Sequence, residues 1–368
     1  MCAFMAFCAA LACFTGEVAD GPNPPAQATP TAASAGSEDP GHASLMTPSS
    51  VAPTPPSVGL TTSEARTSIL ETPVARCNEP ERSWGFFADA IYFRPRWPDL
   101  ELGIANRQNL GVPNGSVQRV DFDPALGFRL GVQRWKGDSG FLADNTYLSV
   151  DSNGAIASNP GATVAPTLTH PLGLRDVDSG LGTGQHKSNV FNLLWTRRIH
   201  ADADFDFWVE GGGRAAWLQR GFGIDYFGGD AAPIARVDHD LDFWGYGLCG
   251  GLAGKWKLGC GWFIDAGGRL SLLASRNETS VVETSMRGAA LLADASDCRT
   301  GFTPMFDLRA SLSKAFGAWT LAVGYEMQQW FGVSELLTFN DDVHVGSLSR
   351  RRGDFGMDGL FLRLGVSF

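Results

Sequence analysis

The sequence predicts an all-β fold: a ten-stranded antiparallel transmembrane β-barrel with short periplasmic turns and long external loops, preceded by a disordered tail. Three observations carry this expectation. In the last fourteen residues, Phe355 to Phe368, apolar side chains alternate with small or polar ones up to a terminal phenylalanine. Leu360, Leu362, Leu364, Val366 and Phe368 share one face, while Gly359, Phe361, Arg363, Gly365 and Ser367 share the other. A period of two with one greasy side suits a strand between lipid and a polar interior, although the last strand of a soluble sandwich could show it too. The second observation is that similar segments recur along the chain, separated by alternately long and short connections. The third is that the tryptophans gather at the ends of those segments.

Composition sets the frame. The 368 residues include only 18% charged side chains, 11% aromatics and 45 glycines, and the mean hydropathy of -0.06 is too polar for a bundle of membrane helices. Past the N-terminus no apolar run approaches the length of a spanning helix, about 18 residues. The net charge of -10 opposes nucleic-acid binding, which depends on neutralising phosphates.

Residues 1–16, MCAFMAFCAALACFTG, form an apolar segment with a small-x-small site at Ala10-Leu11-Ala12, which reads as an export signal lacking a basic start. A tight internal helix is the alternative. Cys13 follows that site, but Ala10 stands where a lipoprotein signal would carry leucine, so lipidation is not expected. Residues 17–82 are rich in Pro, Ala, Ser and Thr, with almost nothing to build a core, and read as a disordered linker.

Residues 83–368 form the barrel. Strand-like alternation marks 84–95, 122–134, 140–150, 188–199, 205–218, 242–256, 261–274, 302–314, 318–330 and 356–368. Outer-membrane barrels place short turns in the periplasm and long loops outside, so this alternation leaves both termini periplasmic. An indole prefers the headgroup level. Trp84, Trp135, Trp195, Trp208, Trp256, Trp262 and Trp319 are expected at the periplasmic rim, and Trp97, Trp217, Trp244 and Trp330 at the outer one.

With the apolar face of each strand turned to lipid, Asp89, Arg129, Glu210, Arg214, Asp265, Arg269, Asp307, Arg309, Glu326 and Arg363 point inward. Opposite charges in a narrow barrel can pair across the interior, which makes their desolvation tolerable. Such a layer is either a constriction selecting solutes by size and charge, or a self-neutralised plug.

Other signals carry less. Gly180 to Ser188, GLGTGQHKS, has histidine where a phosphate-binding loop needs glycine before Lys187, and it falls in an expected external loop. Asp238-His239-Asp240 lies at the outer rim, where an omptin-type protease keeps an Asp/His pair that activates water. Six histidines and seven cysteines show no metal spacing. Cys249 is expected in the lumen and Cys298 unpaired in an external loop, while Cys77 and Cys260 are the one pair whose topology permits a bridge.

Several phrases resemble the Legionella-type pore-forming outer-membrane protein family, related to major outer-membrane proteins. They are FFADAIYFRPRWPDLELGIA, VDFDPALGFRLGVQRW, FWVEGGGRAAWLQRG, DFWGYGLCGGLAGKWKLGCGWFIDAGGRLSLL, GYEMQQWF and the closing GLFLRLGVSF, spread over about Trp84 to Phe368. The resemblance implies pore formation and supplies no catalytic residues. The long tail departs from the usual pattern of a signal leading almost directly into the barrel.

The leading expectation is therefore a porin-like passive channel in a bacterial outer membrane for small hydrophilic solutes, with no enzymatic activity, cofactor or metal. Its partners are outer-membrane lipid, barrel-assembly machinery through the C-terminal strand, and small solutes. One alternative is a closed barrel acting as a surface scaffold or adhesin; another is an omptin-like hydrolase using rim acids and His239. Whether loop 151–187 folds inward separates an open pore from a closed one.

Overall fold

The computed structural model describes residues 84–170, 173–231, 234–285, 290–340 and 347–368. The export-like segment 1–16, the linker 17–82, Cys13 and Cys77 lie outside the described residues, so neither lipidation nor a Cys77–Cys260 bridge is described. Ten strands close into a barrel in which each pairs antiparallel with its neighbours. In chain order they are β1 (Trp84–Arg96), β4 (Ala125–Lys136), β5 (Ser139–Ala157), β7 (Ser179–Ala201), β8 (Phe205–Phe227), β9 (Ile234–Gly259), β10 (Trp262–Ser285), β11 (Ala290–Phe316), β12 (Trp319–Phe339) and β13 (Leu348–Ser367). First and last strands meet, with Asp89 of β1 opposite both Arg129 of β4 and Arg363 of β13. Phe368 completes the seam by exchanging backbone hydrogen bonds with Trp84 at 2.9 and 3.1 Å.

Three short strands, β2 (Glu101–Ala105), β3 (Ser116–Arg119) and β6 (Val164–Ala165), form a separate small sheet. They belong to the β1–β4 and β5–β7 connections, which share one end of the barrel. The other end carries the tight connections. Three of these rely on a left-handed backbone: Gly137 (φ 59°) and Gly317 (φ 61°) each open one, and Cys260 (φ 48°) with Gly261 (φ 76°) forms another. Two consecutive positive φ values match the right-handed twist of the flanking strands, and cysteine here takes a place that usually falls to Asn or Gly.

Near the turns the outward face is apolar. Leu126, Leu248 and Leu270 are 75%, 78% and 66% exposed, as befits side chains that face lipid. Leu360, Leu362, Leu364 and Phe368 also point outward and are exposed, whereas Val366 is half-buried beside the rim. Farther along the same strands the polarity of the faces inverts. Past Trp217 on β8 the inward side chains Leu218, Phe222, Ile224 and Tyr226 are buried. On β9, Val237, Leu241 and Phe243 do the same below its outer end.

This inversion corrects the expected strand limits. β9 runs 26 residues, more than twice the roughly 9–11 that cross a membrane. Segments 219–241, 275–301 and 331–355, expected as loops, are therefore mostly strand, and Cys298 is an exposed residue of β11 rather than of a loop. Alternation continues there, but with the apolar face inside.

Two tryptophans also move. Trp217 and Trp244 stand opposite each other on β8 and β9, half exposed. Trp97 and Trp330 are 5% and 0% exposed and belong to the interior, not to a girdle. At the turn end Trp84, Trp195, Trp256, Trp262 and Trp319 are exposed, while Trp135 and Trp208 line the interior mouth.

Glycine makes room for this interior. A Cβ on Gly324 would lie 2.3 Å from the Ala310 carbonyl oxygen and 2.6 Å from the ring of Phe361. Gly324→Ala should therefore destabilise the barrel by about 1–3 kcal/mol through overpacking. Heat-modifiability on gels would detect it; a melting point equal to the parent's would contradict this packing.

Candidate functional site

The interior has two layers. Toward the turn end lies a cavity of about 640 Å³ reaching from the rim residues Trp84, Gly317 and Ser367 up to Gln328. Nine of the ten predicted inward charges line it, and the tenth, Asp89, is buried in its wall at 2% exposure.

Arg129 organises the wall. Its guanidinium forks onto Glu326, Nη1 to Oε2 at 2.9 Å and Nη2 to Oε1 at 2.6 Å, although β1 and β13 separate their strands. Arg129 Nη1 also donates to Asp89 at 3.2 Å and Nε to Thr146 at 2.7 Å. Arg363 forks onto the same Asp89 at 2.6 and 2.7 Å. Across the lumen Arg269 donates to Glu210 at 2.6 Å. It crosses β9 where Gly251 leaves space, since a Cβ there would sit 2.8 Å from Arg269 Cγ. Arg214 pairs with Asp307 and donates to Asn192 at 2.6 Å.

The balance of charge differs from simple pairing. Asp265 takes its hydrogen bond from Ser313 rather than from an arginine. Arg309, despite sitting opposite Glu326 on the neighbouring strand, makes no ion pair among the described residues and lies 5.2 Å over the Phe361 ring. Glu326 is already occupied by Arg129 and Gln328. One lumen acid went unrecognised in the sequence: Asp144, buried and accepting from Asn192 at 2.9 Å. The signal existed, because Phe141 and Tyr147 mark the opposite face of that strand.

Toward the loop end the interior is apolar and filled. Leu100, Leu102, Val120 and Phe122 from the β1–β4 connection pack with Leu148, Ile224 and Tyr226 of the wall in one buried cluster. Trp97 stacks on Phe355 at 4.3 Å, accepts the Arg220 guanidinium over its ring at 4.9 Å and donates Nε1–H to His186 Nδ1 at 3.3 Å. His186 is thus an inward residue of β7, so GLGTGQHKS is strand, not a loop able to cradle phosphate.

Polar ties hold the insert in place. Tyr226 donates its hydroxyl proton to the Leu102 carbonyl at 2.7 Å, Arg94 Nε to Phe122 O at 2.9 Å, and Ser334 to Asp99 at 2.5 Å. His170 N–H donates to the buried Glu283 carboxylate at 2.6 Å. Arg351 and Arg119 grip Glu101 at 2.7 and 3.1 Å and hold its carboxyl below the usual range. A depressed carboxylate contributes fully at neutral pH and is lost as pH falls through its folded value, so this tie persists through neutral pH and weakens only in acid, below the ordinary glutamate range.

No catalytic pair forms around His239. Its ring is buried, Nε2 faces the Leu168 carbonyl at 3.4 Å and Nδ1 has no hydrogen-bond partner among the described residues. Strand alternation turns Asp238 away, where it accepts from Arg236. Among the described residues no His, Cys, Asp or Glu cluster could hold a metal.

A family model described as Legionella pneumophila major outer membrane protein precursor matches residues 77–368. The chain belongs to this major outer membrane protein family. It is accordingly a protein of the bacterial outer membrane. No curated protein sequence matches it significantly. Among solved structures it is similar to the outer membrane protease OmpT from Escherichia coli, at 10% identity and a TM-score of 0.44, covering 79% of this chain and 98% of that one. The Pseudomonas putida toluene transporter TodX (9%, 0.31, covering 78% and 91%) and Ail of Yersinia pestis (8%, 0.25, covering 78% and 99%) are similar too. Likenesses this loose say nothing about activity.

Proposed function

We propose that this family member is a non-enzymatic, passive outer-membrane channel for small hydrophilic solutes, whose path is shut at the outer mouth in the conformation described. The supporting observation is the charged cavity, which opens at the turn end and is walled by side chains held in fixed pairs. In this reading the turn end faces the periplasm, the outward leucines face lipid, and the C-terminal strand with Phe368 is what the assembly machinery reads. No cofactor or nucleic acid takes part. Solute passage then requires the Trp97–Phe122 insert to swing away from Trp330 and Phe355.

The test is conductance of the purified chain in planar bilayers. A channel gives discrete steps, and Arg269→Glu, which sets two carboxylates side by side at Glu210, should shift the reversal potential toward cations. Absence of steps at any voltage would favour the second reading, a sealed barrel that serves as a surface scaffold or adhesin. That reading draws support from the unbroken apolar cluster across the loop-end interior.

A further inference from the structure

Among the described residues, Arg309 is the one arginine lining the cavity that pairs with no carboxylate. The charges that act on it most strongly are Arg363, Glu326, Arg129 and Arg269, three of them cationic, and Glu326 has both oxygens engaged by Arg129. Two further carboxylates share its face and are also engaged: Asp307, two residues along the strand, by Arg214, and Asp265, at the diagonal position on β10, by Ser313. A second unmet donor belongs to Arg214, which lines the same cavity and is 4% exposed: its buried Nη1 has no hydrogen-bond partner among the described residues. Arg214 is anchored on Asp307, which lies two residues from Arg309 on the same face of β11, about 7 Å along the strand. Both arginines line the cavity. A guanidinium presents five N–H donors and no acceptor, and a desolvated one left unpaired is costly. Water alone gives these donors hydrogen bonds but leaves Arg309 without a neutralising charge.

We propose that the cavity holds a subsite for a small oxyanion, the carboxylate or phosphate group of a solute, between Arg309 and the free Nη1 of Arg214. The planar forks of two arginines match the paired oxygens of either group. Gln328 borders the site on β12, opposite Asp307. The subsite deepens the channel reading by naming a solute class, and rests on it only for how the solute reaches the lumen.

Isothermal titration of the full chain in detergent tests it, with inorganic phosphate and succinate as separate probes and chloride as competitor. Saturable binding near one per chain is expected for at least one probe, and the stronger of the two identifies the group. Arg309→Gln should weaken that binding by about tenfold or more, the value of a lost charge-assisted contact. It should also fold at least as well as the parent, since it removes an unpaired cation. Gln328→Glu supplies Arg309 with a carboxylate at the diagonal position, within reach of a long side chain. It should abolish binding by filling the site from within, and it decides the matter if Arg309→Gln does not fold. No saturable binding to the parent, or equal binding to both variants, would overturn the subsite. Because no membrane is involved, a chain that binds but never conducts would refute the channel and leave the subsite standing.

Discussion

Replacing Glu326 with alanine should destabilise the barrel by about 3–5 kcal/mol, the usual cost of stripping one partner from a buried pair. Arg129 and Glu326 are 6% and 5% exposed in their side chains, and their bidentate contact bridges β4 and β12 over the two strands between them. Without Glu326 the Arg129 charge would rely on Asp89 alone, which Arg363 already grips. Glu326→Gln keeps the shape but not the charge and should lie between alanine and the parent. The double change Arg129→Met with Glu326→Leu should recover most of the loss, because a buried ion pair is often no better than apolar residues of its size. Loss of the heat-modifiable form at lower temperature measures all three. A double variant as unstable as Glu326→Ala would mean that the pair itself, not the orphaned charge, carries the stability.

Leu364→Arg should impair assembly. Leu364 is 50% exposed on the outward face of β13, between Leu362 and the rim. A charge facing the bilayer midplane of a barrel costs on the order of 2–4 kcal/mol, falling toward the interface. The same substitution at Phe361, on the inward face and 2% exposed, would act through packing instead. Folded yield into vesicles distinguishes the two, since only the Leu364 variant should recover in thinner bilayers that bring its charge nearer to the headgroups. Full yield from Leu364→Arg would show the face to be inward.

The ten strands were legible because the lipid imposes one rule on every strand near the turns: apolar outside, anything that pairs inside. Asp89, Glu326 and Arg363 stand out under that rule. It fails past Trp217 and Trp244, where water replaces lipid and the insert replaces water. There Leu218, Phe222 and Val237 face inward, so alternation persists while its meaning reverses, and a reading that always turns apolar faces outward ends the strands too early. Trp97 and Trp330 are ambiguous in the sequence for the same reason, since an aromatic at a strand end serves a girdle or a plug equally well. Which charges pair was not legible either. Arg129 reaches past two strands to Glu326 and so leaves Arg309, its cross-strand neighbour, without a partner; side-chain reach across the lumen decided this, not register.

A charged passage stoppered by an insert should open when the insert is removed, and single-channel recording reads this most directly. Residues 97–124 would be replaced by a short Gly/Ser linker joining β1 to β4, and the folded barrel identified by its heat-modifiable band. Removing Trp97, Leu100, Leu102, Val120 and Phe122 takes the insert's share out of the loop-end core, so conductance steps should become larger and more frequent than those of the full chain. A folded, insert-free barrel that conducts no better than the parent would contradict the stoppered passage.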